Sequence, residues 1–138
     1  MLSRDQILRA NDDTYAAWNA HDAKAVAAVF AEDAQIVDVA AGTVIRGREA
    51  IRDSAIARFT GFPDFSLEKR TLLIDGNANA DRWIMRGTHT GDFMGISPSG
   101  HSVEVHGSTF SEFNDGGLVI RDTHYIDLAT FLRQLGLA

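Results

Sequence analysis

Residues 102–126 read SVEVHGSTFSEFNDGGLVIRDTHYI, and this stretch decides the fold class. Both of its ends alternate apolar or small residues with polar ones, a period of two that is typical of β-strands. Between them lies Asn114-Asp115-Gly116-Gly117, which has the composition of a hairpin turn. We therefore predict a hairpin of two strands, Ser102 to Phe113 and Leu118 to Ile126.

Extended segments also precede this hairpin, and helices occupy the first half and the end of the chain. Phe65 to Ile74 and Ala80 to Thr90 are predicted strands, joined at the turn Asp75-Gly76-Asn77. Apolar spacing predicts four helices and a short strand. The helices run from Ser3 to about Ala20, from Asp22 through Phe30, from Gly47 to Gly61 and from Asp127 to Gly136, and the short strand is Gln35 to Val39. Helices followed by antiparallel hairpins indicate an α+β fold.

Composition sets the outer limits on function. The 138 residues fit one domain, residues 1–138, and the absence of cysteine excludes disulfides, thiolate metal sites and a cysteine nucleophile. A net charge of −6 argues against nucleic acid as a main partner. The start of the chain does not have the pattern of a signal peptide, and the longest apolar run, Ala25 to Ala31, is too short for a membrane span. We expect a cytoplasmic protein with no membrane partner.

The last strand carries the most informative polar residues. Its alternation puts Leu118, Ile120, Asp122, His124 and Ile126 on one face, which begins and ends with aliphatic residues. A carboxylate on an inward face is costly unless it is paired or functional. Asp122 could therefore hold the imidazole of His124 and raise its basicity. The alternative is a solvated strand end, and the pattern alone leaves both open.

Three further polar or aromatic side chains are candidates by their position. Asp38 shares a strand face with Ile36, where it either caps the following loop or faces a pocket. Tyr15 and Trp18 on the first helix are expected in the core, each with a polar group that needs a partner.

Other catalytic and cofactor motifs are missing from the sequence. The five histidines lack the spacing of a metal site, and no Gly-x-Ser-x-Gly elbow or phosphate-binding glycine loop occurs. We expect no metal and no cofactor.

Several strings resemble the nuclear transport factor 2-like superfamily, and within it the SnoaL-like polyketide cyclase branch. In the first half these are Trp18-Asn19-Ala20-His21-Asp22, Val29-Phe30-Ala31-Glu32-Asp33-Ala34 and Ile45-Arg46-Gly47-Arg48-Glu49-Ala50-Ile51. In the second half they are Gly87-Thr88-His89-Thr90-Gly91, Phe93-Met94-Gly95-Ile96, Phe113-Asn114-Asp115-Gly116, Tyr125-Ile126-Asp127 and Leu132-Arg133-Gln134-Leu135-Gly136. The resemblance covers nearly the whole chain. It is a stronger guide to fold than to function, because the superfamily contains both enzymes and binding proteins.

This resemblance implies a cone. Three N-terminal helices would close a curved antiparallel sheet around an internal apolar pocket, with a short helix at the C-terminus. Proteins of this type are usually homodimers through the outer sheet face, which here would carry Glu104, His106, Phe110 and Glu112.

The family's functional residues match this chain only in part. Asp38 stands where steroid isomerases have a general base, but Thr14 and Thr109 stand where they have a tyrosine and a protonated aspartate. Arg86 matches an epoxide hydrolase arginine, but Thr88 replaces its aspartate. Both activities are therefore less favoured. His124 stands at the acid–base position of the SnoaL-like cyclases.

The resemblance together with these residues predicts an enzyme that performs cofactor-free acid–base chemistry, of a cyclase or isomerase type, on a small apolar carbonyl compound. Asp38 would remove a proton from carbon, and His124, positioned by Asp122, would donate one to oxygen. The predicted substrate-binding residues are Tyr15, Trp18, Phe30, Trp83, Val105, Thr109 and Ile126. The alternative is a domain of the same fold that binds a small ligand or dimerises without catalysis.

Overall fold

The computed structural model describes residues 1–137, which form four helices and one six-stranded sheet. The helices are α1 (Arg4–Asn19), α2 (Ala23–Ala28), α3 (Arg48–Gly61) and α4 (Leu128–Gln134). The strands are β1 (Phe30–Asp38), β2 (Thr43–Arg46), β3 (Ser66–Asp75), β4 (Ala78–Thr88), β5 (Ser102–Phe113) and β6 (Val119–Ile126). The predicted α+β class is confirmed, and the sheet is curved and open.

The first helix begins where the sequence places it. The Ser3 hydroxyl accepts a hydrogen bond from the Gln6 amide at 3.1 Å, and the Gln6 side chain accepts one from the Ser3 amide at 2.7 Å. This reciprocal pair satisfies two amides that the first helical turn would otherwise leave without partners. The predicted start of the first helix at Ser3 is therefore confirmed.

The sheet has one parallel pair, which corrects the expectation of a wholly antiparallel sheet. Its strand order is β2-β1-β6-β5-β4-β3, and β1 pairs parallel to β6, with Asp38 opposite His124. Parallel neighbours need a long connection. All of the chain between β1 and β6 supplies it, so the first and last strands lie side by side in the sheet.

Strand β1 starts earlier than predicted. Phe30 is the first residue of β1 instead of the last residue of a helix. Its carbonyl accepts a hydrogen bond from the Arg48 side chain at 2.7 Å, and Phe30 is in register with Val119 of β6. Strand β2 was missed because four residues carry too little periodicity to be recognised.

A bulge corrects the predicted face of the last strand. In the β5–β6 ladder Glu112 pairs with Arg121 but Phe113 pairs with Val119, so Ile120 has no opposite residue. The extra residue reverses the alternation. Val119 is consequently buried while Ile120 is 44% exposed, and Asp122 and His124 keep their predicted inward face.

Helices α1, α2 and α3 contribute to the two hydrophobic clusters on the inner face of the sheet. Phe110 and Tyr125 are exposed large side chains on the outer face, and the homodimer through this face stays a prediction. Within residues 1–137, none of the helices combines the length and apolar character needed to cross a bilayer.

Candidate active site

A cavity of about 60 Å³ lies between helix α1 and the inner face of the sheet. This volume gives room for roughly four to six water molecules. Its apolar walls include Val29, Phe65, Leu67, Met85, Phe113 and Val119. Polar or charged side chains from α1, α3, β4, β5 and β6 reach the same space.

Six of the seven residues predicted to bind substrate line this cavity, although their role in binding stays a prediction. They are Tyr15, Trp18, Phe30, Trp83, Thr109 and Ile126. Val105 does not line it: the side chain is fully buried within the hydrophobic cluster around Phe62 and Met85. Alternation correctly places Val105 on the inner face, but it cannot tell a packed position from one beside open space.

Asp38 is also outside the cavity lining. Its carboxylate accepts a hydrogen bond from the Ala41 amide at 3.0 Å, as expected of a residue that caps the loop after its strand. The backbone of Asp38 is in register with His124, so the two residues are neighbours in the sheet. The structure therefore places Asp38 beside the cavity but turned to the loop.

Asp122 and His124 face the cavity together on β6. Asp122 is 7% exposed, and its Oδ1 accepts a hydrogen bond from the Ser111 hydroxyl at 2.6 Å. Its Oδ2 lies 3.7 Å from Nε2 of His124, which is within ion-pair range but longer than a hydrogen bond. A carboxylate, a hydroxyl and an imidazole thus stand in a row along one wall.

Asp81 on β4 forms a second carboxylate group in the cavity, which the sequence analysis missed. Its Oδ2 accepts hydrogen bonds from the Tyr15 hydroxyl at 2.9 Å and from the Asn11 amide at 3.1 Å. Burial raises the pKa of Asp81, the two hydrogen bonds oppose that shift, and the nearby charge of Asp122 adds to it. Asp81 shares strand parity with Trp83, and this signal could have found it.

Four buried polar atoms around Asp81 lack partners among residues 1–137. They are Oδ1 of Asp81, Oδ1 of Asn11 and both side-chain amide atoms of Asn79, and all three residues line the cavity. Buried polar groups normally find a hydrogen-bond partner, and leaving one unpaired is costly. A water or a polar ligand group inside the cavity would satisfy them.

Trp83 is held in the wall by contacts on two sides. Its indole N–H donates to the Thr109 hydroxyl at 3.0 Å, and its ring lies over Gly107, where an added Cβ would come within 2.2 Å of the ring. The glycine makes room for the indole. The Thr109 hydroxyl is therefore occupied by its hydrogen bond from Trp83. The Thr14 hydroxyl donates to the Ala10 carbonyl at 2.9 Å.

Arg58, in the last turn of α3, is a second cavity residue that the sequence analysis did not find. Its guanidinium carbon lies 5.7 Å from the centre of the Trp18 ring. Burial lowers the pKa of Arg58, and the charge of Asp38 opposes that shift.

Within residues 1–137, no three histidine, aspartate or glutamate side chains come together in the way a metal ion requires.

Comparisons with known proteins bear on the family and the fold of the chain. The sequence profile of the SnoaL-like polyketide cyclase family matches residues 8–135. None of the curated proteins matches the chain significantly.

Solved structures match along nearly the whole chain. TsrD from Streptomyces laurentii is 25% identical with a TM-score of 0.88, and 100% of each chain is covered. IdmH from Streptomyces antibioticus, provisionally described as a polyketide cyclase, is 28% identical with a TM-score of 0.80, covering 95% of this chain and 99% of that one. A Catenulispora acidiphila protein with a ketosteroid isomerase-like fold is 22% identical with a TM-score of 0.81, covering 94% of this chain and 93% of its own, and it bears on the fold alone.

Proposed function

The chain belongs to the SnoaL-like polyketide cyclase family, and we propose that it is an enzyme that transfers protons on a small carbonyl compound held in the cavity. One observation carries the proposal. Two aspartates that are less than a tenth exposed, Asp81 and Asp122, face one cavity and are held by neutral hydrogen-bond donors. Neither lies within ion-pair distance of an arginine or lysine of residues 1–137.

The environments of the two carboxyl groups favour different roles. Burial raises the pKa of Asp81, which makes this carboxyl group easier to protonate than an exposed one. A proton on Oδ1, which has no partner among residues 1–137, could then be donated to a carbonyl oxygen. Asp122 lies beside the imidazole of His124 and can stabilise the positive charge that forms when His124 accepts a proton.

The proposed step is the removal of a proton from the carbon next to the carbonyl. His124 takes this proton, the electron pair of the C–H bond becomes a carbon–carbon double bond, and the carbonyl oxygen takes up the carbonyl π electrons. Asp81 gives its proton to that oxygen, which yields an enol. Return of a proton at another carbon gives an isomerisation, and attack of the enol carbon on a second carbonyl gives a cyclisation.

This assignment moves the base from Asp38 to His124. The Asp38 carboxylate accepts a hydrogen bond from the Ala41 amide and is outside the cavity lining, whereas His124 lines the cavity. Asp38 is then a structural neighbour of the site. A comparison of variants at the two positions distinguishes the earlier hypothesis from the present one.

The test measures exchange of carbon-bound protons for deuterium by proton NMR in heavy water, with a panel of single-ring ketones and diketones. We expect His124→Gln to slow the enzyme-catalysed exchange by about 10²-fold or more, since a positioned acid or base typically contributes that much. Asp122→Asn should also slow it, because it removes the negative charge that would stabilise the protonated imidazole.

Asp38→Asn is the matched variant and should change the rate by less than about tenfold. Equal losses for Asp38→Asn and His124→Gln would restore Asp38 as the base. Exchange that is unaffected by His124→Gln and Asp122→Asn would contradict the proposal and favour a domain that binds a ligand without catalysis.

A further inference from the structure

Arg58 is a cavity residue without a charged partner. It comes from the last turn of α3, and its side chain makes no hydrogen bond or ion pair with any residue in the described range 1–137. Its guanidinium lies over Trp18, a contact that offers some stabilisation but does not neutralise the charge. A partly buried cation of this kind lacks both full hydration and a counter-ion.

Neighbouring charges do not explain this arrangement. Asp38 raises the pKa of Arg58, but its carboxylate is engaged with the Ala41 amide and does not reach ion-pair distance. Asp81 and Asp122 lie on the same cavity but are held by Tyr15, Asn11 and Ser111. The cation is therefore available to a bound molecule.

We propose that Arg58 binds a carboxylate group of the substrate at the α3 side of the cavity, so that the substrate is a small keto acid or a related carbonyl acid. A planar guanidinium matches a carboxylate with two parallel hydrogen bonds, and such charge-assisted bonds are about twice as strong as neutral ones. The apolar walls and the Trp18 ring would hold the carbon skeleton. The carbonyl end would then meet Asp81 and His124.

The net charge of the chain bears on where a preference for anionic ligands could come from. At −6 the protein as a whole repels anions, so a preference for a carboxylate would have to come from a local cation. The cavity volume limits the candidates to small acids.

The proposal rests on the proposed function, since it takes the cavity as the substrate site, but its test needs no turnover. Benzoate and phenylacetate are titrated against the protein beside their neutral amides, benzamide and phenylacetamide. Binding is followed by the fluorescence of Trp18 and Trp83, which are the tryptophans of the chain and line the cavity.

We expect each carboxylate to bind the native protein at least about tenfold more tightly than its amide. Arg58→Gln should remove most of this preference and leave amide binding nearly unchanged. Arg58→Lys keeps the charge but not the planar fork and should retain part of the preference. Arg52→Gln is the control, because it removes the same charge from an exposed position of the same helix.

Three results would overturn the proposal. The first is a native protein that binds carboxylates no better than amides, including no binding of either. The second is Arg52→Gln weakening carboxylate binding as much as Arg58→Gln. The third is that Arg58→Gln weakens the binding of carboxylates and of amides equally. If the Gln variant does not fold, the same result in Arg58→Lys would overturn the proposal. Carboxylate selectivity with intact exchange in His124→Gln would instead contradict the proposed function alone.

Discussion

The two faces of the sheet hold carboxylates in opposite ways. On the outer face, Glu68 of β3 and Glu104 of β5 both pair with Arg86 of β4, at 2.7 Å each. On the inner face, Asp81 accepts hydrogen bonds from Tyr15 and Asn11, and Asp122 accepts one from Ser111. These two outer acids thus share one cation, whereas Asp81 and Asp122 accept hydrogen bonds from neutral donors.

This difference shows what a buried carboxyl group needs if it is to react. The charges of an exposed ion pair are solvated in both the folded and the unfolded state, so such a pair contributes little to stability. A buried carboxyl group that is held by neutral donors has no opposite charge to stabilise its ionised form. Burial accordingly raises the pKa of Asp81. The buried Asp81 is therefore easier to protonate than the ion-paired Glu68, whose pKa is lowered by Arg70 and Arg86.

The largest expected effect follows from removing the inner acid. Asp81→Asn keeps the size of the side chain but cannot donate a proton from Oδ1, so we expect deuterium exchange to slow by about 10²-fold. Glu104→Gln, the matched change on the outer face, should leave the rate unchanged. Equal rates for Asp81→Asn and the native protein would break the distinction between the two faces.

The alternation of β5 made half of this arrangement predictable. All six odd-numbered positions from Val103 to Phe113 are buried, as the period of two requires. The same rule applied to β4 places Asp81 on the face of Trp83. It also places Asn79 there, although the predicted strand begins one residue too late to include it. A polar residue at an inward position deserved the larger weight.

Two other features were beyond single-strand patterns. The bulge at Ile120 depends on how β6 pairs with β5, and an insertion of one residue leaves no mark in the alternation of β6 alone. Arg58 has a long side chain that reaches the cavity from the edge of its helix, and arginines in such positions usually extend into solvent. Both features depend on how separate elements of the fold are placed relative to one another, and the periodicity of a single element does not reveal that placement.

A second prediction concerns alkaline pH. Burial and the charge of Asp81 raise the pKa of Tyr15 well above its usual range, so the folded protein keeps a proton that unfolded tyrosine loses near pH 10. Stability should therefore fall as pH rises above about 10, by up to about 1.4 kcal/mol per pH unit from this group. Tyr15→Phe should flatten that decline in urea unfolding experiments.

Tyr125→Phe is the matched control, because this ring is 53% exposed on the outer face. The stability of Tyr125→Phe should fall with rising alkaline pH as steeply as that of the native protein. A decline in Tyr15→Phe as steep as in the native protein would mean that the hydroxyl of Tyr15 is not held against Asp81 in solution.

The smallest expected effect belongs to the outer face. Arg86→Gln removes the cation shared by Glu68 and Glu104, and we expect only a slight fall in Tm, since exposed pairs are weak and screened by salt. In about 1 M NaCl, where the screening length is about 3 Å, the difference between variant and native protein should vanish. The effect of Asp81→Asn on exchange should persist in the same salt, because buried groups are screened much less. A fall in Tm for Arg86→Gln that salt does not reduce would show that Arg86 acts through packing. The two faces of the sheet would then not differ in how charge stabilises their carboxylates.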